Sequence, residues 1–349
     1  MTVDDEAVAA APHGPRDEEE LELMLSDPTP AVVEALRACP GDVVVLGAGG
    51  KMGPSLSRML RRAAHDGRRV IAVSRFGSPR ARERLEGWGV ETAACDLADR
   101  AAVARLPDAP NVVYMAGQKF GTRDAPAITW AMNTVVPAVC AERYAGSRVV
   151  AFSTGNVYAL TPVGRGGSHE EDAPAPVGEY AASCVGRERV LEYYSARDGT
   201  PVAIVRLNYA NDLRYGVLTD LALKVWRGEP VDVAMGYVNV IWQGDANALA
   251  AACLPRAAAP PFVVNVTGPE TLAVRDVARA LGRLLDREPV LAGAESPDAL
   301  LSDTARMTGT LGAPLVPAAW LLRWAADWVR AGGPLLGKPT KFEARDGKF

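Results

Sequence analysis

Histidine is scarce. His13, His65 and His169 are the only three in 349 residues, and no two stand at a spacing that would share a metal. The five cysteines, Cys39, Cys95, Cys140, Cys184 and Cys253, lie far apart with no C-x-x-C pair. That pattern excludes a zinc ribbon or a disulfide framework and fits reduced thiols. No apolar run approaches the ~18 residues of a membrane span, and the first twenty residues are acidic at Asp4–Glu6 and Asp17–Glu20. Neither a signal peptide nor a membrane anchor is expected, so the protein is expected to be cytoplasmic. There is also no basic excess: the net charge is −4 and the arginines are dispersed among acids, which argues against a nucleic-acid partner. No metal is expected.

What is present is a repeated alternation of short β-branched runs and amphipathic helices. Val43–Leu46, Val70–Val73, Glu91–Ala94, Asn111–Met115, Arg148–Phe152 and Val202–Val205 have the form of parallel strands. Helices over Pro79–Glu86, Arg100–Leu106, Trp130–Tyr144 and Tyr180–Ser195 separate later pairs. The order predicts an α/β fold, a Rossmann-type doubly wound parallel sheet with a smaller C-terminal substrate-binding lobe. Residues 1–40 form an N-terminal extension, expected to be disordered over 1–16 with short helices at Glu18–Leu25 and Ala31–Ala38. Residues 41–206 carry the nucleotide-binding domain. Residues 207–349 form mainly the substrate lobe, with elements returning to the first domain. This second part is expected to hold helix Leu213–Arg227, strand Val238–Trp242, an Asp245-capped helix to Leu254, strand Phe262–Val266, helix Val274–Leu285 and helix Ala318–Arg330. Trp320, Trp324 and Trp328 share one face of that last helix, which implies a packed face or an interface. The tail beyond Gly332, with Lys338, Lys341 and Lys348, suggests no chemistry.

The first strand ends in Gly47-Ala48-Gly49-Gly50-Lys51-Met52-Gly53 and runs into a helix. Glycines at 47, 50 and 53 let a diphosphate approach the backbone, and amides at the helix start bind it. The second strand ends in Ser74-Arg75-Phe76, with no acid to take ribose hydroxyls. Arg75, with Lys51 nearby, suits a 2′-phosphate, so NADP is preferred to NAD.

The G-x-x-G-x-x-G spacing resembles the extended branch of the short-chain dehydrogenase/reductase superfamily, the NAD-dependent epimerase/dehydratase family. Three further stretches, in order, carry the resemblance. They are Met115-Ala116-Gly117-Gln118-Lys119-Phe120-Gly121, Ser153-Thr154 followed by Val157-Tyr158, and Tyr180 opening a helix. The resemblance implies that Asp96 and Leu97 flank the adenine and that Met115, Ala116, Gly117 and Lys119 border the nicotinamide half. Asn133 would support the cofactor, and Asn156, Asn208 and Tyr209 would meet a polar, sugar-like or sugar-nucleotide substrate. It also implies hydride chemistry at a carbinol or carbonyl, with Tyr180 passing the proton, Thr154 and Ser153 bonding the oxygen, and a homodimer packed through the helices at 130–144 and 180–195. Arg206-Leu207-Asn208 resembles the family's R-x-x-N segment, one residue short and without its proline.

One departure bears on mechanism. The family's tyrosine is followed four residues later by a lysine, which lowers the tyrosine pKa and bonds the ribose; here that position is Cys184. Three readings stand: another cation, Lys119 or Arg187, substitutes; Tyr180 stays protonated and acts only as an acid; or the chain is a degenerate cofactor-binding protein. Cys184 as a nucleophile is a further reading. Gly155 and Asn156 replace the Asp-Glu of the family's dehydratases, which speaks against that elimination, although Glu179 offers a carboxylate. A non-redox lyase, isomerase or cyclase on the same fold is the alternative function. The group His169–Asp172 is expected to be a solvated loop.

Overall fold

The computed structural model describes residues 4–65, 67–119, 121 and 124–347. Phe120 of the lysine-bearing turn, Lys348 and the first three residues lie outside that set. Seven strands form one parallel sheet: β1 Val43–Leu46, β2 Val70–Ser74, β3 Glu91–Ala94, β4 Asn111–Tyr114, β5 Arg148–Thr154, β6 Val202–Leu207 and β7 Phe262–Val266. Their order is β7-β6-β5-β4-β1-β2-β3. The order reverses between β1 and β4, which opens a crevice beyond their carboxyl ends. β1 is fully buried, as a Val-Val-Val-Leu run covered by helices on both faces must be.

Apolar side chains fill both sides of the sheet. On one face Val43, Val45, Ala72, Val113 and Val205 pack with Leu56, Met59 and Leu60. On the other Val44, Leu46, Ile71 and Val112 pack with Val139, Leu191 and Tyr194. A third core joins the C-terminal helices Val217–Arg227, Val274–Leu285 and Ala318–Arg330. Trp324 and Trp328 are buried within it and Trp320 packs against it, so the tryptophan face is core.

Several expected elements differ. Helix Asp5–Ala9, capped by the Asp4 carboxylate, replaces the disorder expected before residue 16; its Val8 is buried in the C-terminal core, and Pro12 O accepts from the Trp324 indole. The helix expected over Trp130–Tyr144 runs as Pro126–Trp130, a π-helical turn Ala131–Val135, and Val136–Arg143. Val238–Trp242 is two strands with different partners: Tyr237–Val238 pairs with Leu272–Ala273, and Ile241–Trp242 with Ala210–Asn211. The break falls at buried Asn239, whose side chain bonds Asn208 and Ser302 O instead. Helix Val217–Arg227 starts four residues late because Asp212 and Tyr215 close a reciprocal backbone turn and Gly216 follows at φ +151. Asp245 is not a cap. It lies inside helix Gln243–Ala252, and its carboxylate accepts from Val316 N.

Candidate active site

A cleft of about 730 Å³ opens beyond the carboxyl ends of the strands, within the size range of ligand-binding pockets. The glycine turn forms its floor. Gly47 and Ala48 amides donate to Val73 O, and Gly47 takes φ +88, a left-handed conformation suited to glycine. A Cβ at Gly47 would lie 2.6 Å from Ala116 N, and one at Gly53 would lie 2.3 Å from Ala48 O. The chain packs on itself there, so nothing larger fits. A Cβ at Gly50 would meet only Gly47 O, at 3.6 Å; that glycine leaves its space to the cleft. Among the described residues no side chain caps the start of helix Gly53–Ala63, so its first amides remain for an anion. Ser55 Oγ accepts from Gln243 and Asn247, which ties this helix to Gln243–Ala252. The cradle fits a dinucleotide diphosphate.

Of the expected cofactor residues, the whole 47–53 turn, Met115, Gly117 and Lys119 line the cleft. Ala116 is buried behind Gly47. Ser74 Oγ sits where a Cβ on Gly49 would point, and Arg75 is exposed at the strand tip. Asp96 is exposed and accepts from Ala98 N. Leu97 is not on the cleft; it is buried in the sheet core among Ile71, Val73 and Cys95. At the far end of the cleft Phe76, Leu85 and Arg84 form the wall.

Asn133 acts one layer behind. It is fully buried in the π turn; its Oδ1 accepts from Gln118 N and Arg187, and its Nδ2 donates to Gln118 O and Ser183 Oγ. One amide thus fixes the lysine-bearing turn to helix Gly178–Asp198.

Thr154, Asn156 and Tyr180 meet in the same cleft. Thr154 Oγ1 accepts from Asn156 Nδ2 at 3.0 Å and hydrogen-bonds the Tyr180 hydroxyl. Ser153 is held elsewhere: its Oγ donates to buried Glu188 at 2.5 Å. Asn208 and Tyr209 line the cleft, and Asn208 donates to Asn239 and Leu300 O.

Burial pushes Tyr180 well above the usual phenol range, and the neighbouring Cys184 thiol adds to the rise; Arg187 and the bond from Thr154 pull the other way. Cys184 is fully buried and hydrogen-bonded to Tyr180, and burial raises its thiol too, so it is no thiolate nucleophile at neutral pH. Arg187, seven residues along the helix, is buried against the cleft and donates to Phe152 O at 2.9 Å. Its guanidinium occupies the room that a side chain on Gly117 would take. Lys119 lies 5.8 Å from the Tyr180 ring centre, its pKa lowered to about 8 by burial. Glu179 accepts from the Trp130 indole.

Three contributors escape sequence reading. Glu188 pairs with Arg206 at 2.7 Å, both buried, and Arg206 also donates to Tyr158 OH. Glu170, expected in a solvated loop, has a side chain only 3% exposed that accepts from Asn265 N. Glu22 of the N-terminal extension reaches the cleft and pairs with Arg214 at 2.7 Å. Helical spacing carried part of the signal: 180, 184, 187, 188 and 191 share one face, so charge at 187 and 188 falls on the buried side.

Solved structures share the fold. The UDP-glucose 4-epimerase of Thermus thermophilus, in complex with NAD, superposes with a TM-score of 0.69 at 21% identity, covering 84% of this chain and 99% of that one. The UDP-glucose 4-epimerase of Thermotoga maritima, with UDP-glucose, gives 0.68 at 19% identity over 83% and 99%. The UDP-glucuronic acid 4-epimerase of Bacillus cereus, with NAD, gives 0.68 at 16% over 83% and 98%. No curated protein sequence matches the chain. The sequence model of the NAD dependent epimerase/dehydratase family matches residues 43–211, a span that holds the glycine turn, Thr154 and Tyr180. Over that span, a little under half of the chain, the sequence is similar to the NAD dependent epimerase/dehydratase family.

Proposed function

We propose that the protein is an NADP-dependent oxidoreductase or epimerase acting on a carbinol or carbonyl of a polar, sugar-like substrate. The observation that carries this is one cleft holding the glycine cradle, Lys119, Thr154 and Tyr180 together. The nicotinamide, when bound, supplies or accepts the hydride. Thr154 orients the reacting oxygen and Tyr180 exchanges a proton with it. A phenol held above its ordinary pKa stays protonated at neutral pH, so Tyr180 works best as an acid, in the direction of carbonyl reduction. Arg187 supplies from behind the positive charge that the missing lysine would bring, and Asn133 positions Arg187 and, through Gln118, the turn that carries Lys119.

Arg75, at a β2 tip without a carboxylate, supports NADP over NAD. Titrating the purified protein with NADPH and NADH, followed by cofactor fluorescence, tests this. NADPH is expected to bind more tightly, and Arg75→Asp to reverse the order. Failure of either cofactor to bind at millimolar concentration overturns the oxidoreductase reading. The Cys184 substitution favours one rival, a non-redox lyase or isomerase; substrate loss without change in NADPH absorbance selects it.

We further infer a homodimer through the helices at 126–143 and 178–198. Ile128, Val135 and Tyr193 are 56, 51 and 59% exposed there, large apolar groups on adjoining helices. Light scattering of the parent is expected to give twice the chain mass, and Val135→Glu the monomer. A monomeric parent refutes the assignment.

A further inference from the structure

The C-terminal segment, residues 333–347, crosses the cleft as a strap. It leaves helix Ala318–Arg330 with Gly333 N on Trp328 O, and Leu336 N then bonds Arg214 O at 3.0 Å. Thr340 donates from both its amide and its hydroxyl to Asp220, at 2.7 and 2.6 Å. Phe342 is buried, with its carbonyl accepting from Tyr209 OH, and Arg345 donates to Asp298 O at 2.9 Å. The strap ends against Gly178, two residues before Tyr180: a Cβ there would lie 2.6 Å from Gly347 O. It is therefore tied to both the substrate lobe and the tyrosine helix. Leu336, Lys338 and Thr340 form part of the cleft wall.

Three lysines from three separate parts of the chain converge in this cleft: Lys51 from the glycine turn, Lys119 from the nicotinamide-side turn and Lys338 from the strap. The Lys51 ammonium lies 3.0 Å above the Tyr215 ring. Burial, then the charges of Lys119 and Lys338, lower its pKa to about 7. Lys341 adds to the same field at Lys119. Two carboxylates act on Lys51 in the opposite sense: Asp220, bonded by Thr340, and Asp212, paired with Arg214. Gathering like charges is unfavourable in the free protein and becomes favourable once an anion enters.

We propose that the strap completes the active site, with Lys338 facing Lys51 to grip a phosphate group of the bound ligand. Lysine serves as a point-charge phosphate binder, and Lys51 stands beside the uncapped helix start that also favours phosphate. The phosphate is either the diphosphate of the dinucleotide or one carried by the substrate. This deepens the reading of the cleft as a dinucleotide and substrate site and rests on it.

The test compares the full-length parent with Lys338→Gln and Lys338→Arg, titrated calorimetrically with inorganic pyrophosphate, NADPH and UDP-glucose at low salt. Lys338→Gln is expected to weaken pyrophosphate binding about tenfold. Lys338→Arg, which keeps the charge, is expected to hold it. Lys338 is exposed, so the melting temperature should not move. Weakened NADPH binding with unchanged UDP-glucose binding assigns the grip to the dinucleotide; the reverse assigns it to the substrate. Unchanged affinities for all three in Lys338→Gln, or a parent that binds none of them, overturn the proposal. If the parent binds NADPH and only the lysine variants show no effect, the strap proposal fails while the dinucleotide site stands. If the parent takes pyrophosphate, loses it in Lys338→Gln and binds no dinucleotide, the lysine grip stands and the dinucleotide site fails.

Discussion

Truncating Glu188 to alanine should be the most damaging change near the site that touches no ligand. Glu188 Oε1 accepts from Ser153 Oγ at 2.5 Å and from Arg206 Nε at 3.1 Å, and Oε2 accepts from Arg206 Nη2 at 2.7 Å. The two side chains are 1% and 5% exposed. Alanine at 188 leaves the guanidinium charged, buried and without its counterion, a situation that costs about 3–5 kcal/mol. At about 2–4 °C per kcal/mol, the melting temperature should fall roughly 6–20 °C. Replacing both partners with apolar groups removes the stranded charge. Tyr158 OH keeps its bond to Asn265 at 2.8 Å, so E188L/R206M should recover at least about 2 kcal/mol of the single variant's loss. Urea denaturation at pH 7, followed by tryptophan fluorescence, measures all three proteins. A single variant within about 1 kcal/mol of the parent refutes the reasoning, because the pair would then not be desolvated as described. So does a double variant less stable than the single.

Tyr180→Phe should lower turnover by about 10²–10⁴-fold, the usual contribution of positioned proton transfer, while NADPH affinity stays within threefold; equal turnover would remove Tyr180 from the chemistry. Gly53→Ala forces a Cβ to within 2.3 Å of Ala48 O. It should therefore cost about 1–3 kcal/mol and abolish measurable dinucleotide binding, checked by denaturation and NADPH titration. Lys51, with a pKa near 7, loses its charge as pH rises, so pyrophosphate affinity should fall between about pH 6 and 8. Stability of the free protein runs the other way. The unfolded lysine titrates near 10.4, so from pH 7 upward the unfolded state binds more protons and the contribution of Lys51 to stability rises. A pyrophosphate affinity flat with pH would contradict the assignment.

Elements whose signal is local were legible. The Val-rich runs at 43–46 and 262–266 and the helix at 274–285 follow from hydrophobic period alone, and their ends fall where the sequence puts them. Leu97 was not legible, because a buried leucine in the sheet core and one against an adenine have the same local sequence. The π turn at 131–135 inserts its extra residue without breaking the apolar pattern, yet it is what turns Asn133 inward to four hydrogen bonds. Residues far apart in the chain were least legible. Glu22 lies 192 positions from Arg214, and Thr340 lies 120 from Asp220. The sequence assigns no chemistry to the N-terminal extension or to the basic tail, but both bring charged or polar side chains to the cleft wall.

The substitution at 184 is best understood as part of a relocation of charge. A lysine at that position would enter a fully buried site between Tyr180 and Arg187, beside a guanidinium already bonded to Phe152 O and Asn133. Two cations there would repel in low dielectric. With Arg187 set one turn deeper, the thiol at 184 is the small neutral group that keeps helix Gly178–Asp198 packed and still bonds the phenol. The charge felt by Tyr180 is then weaker than that of a lysine at contact, and the phenol stays protonated. At neutral pH such a site holds the proton on the phenol, available to a substrate oxygen, and lacks the phenolate that would take one up. That asymmetry is the basis for proposing carbonyl reduction rather than alcohol oxidation.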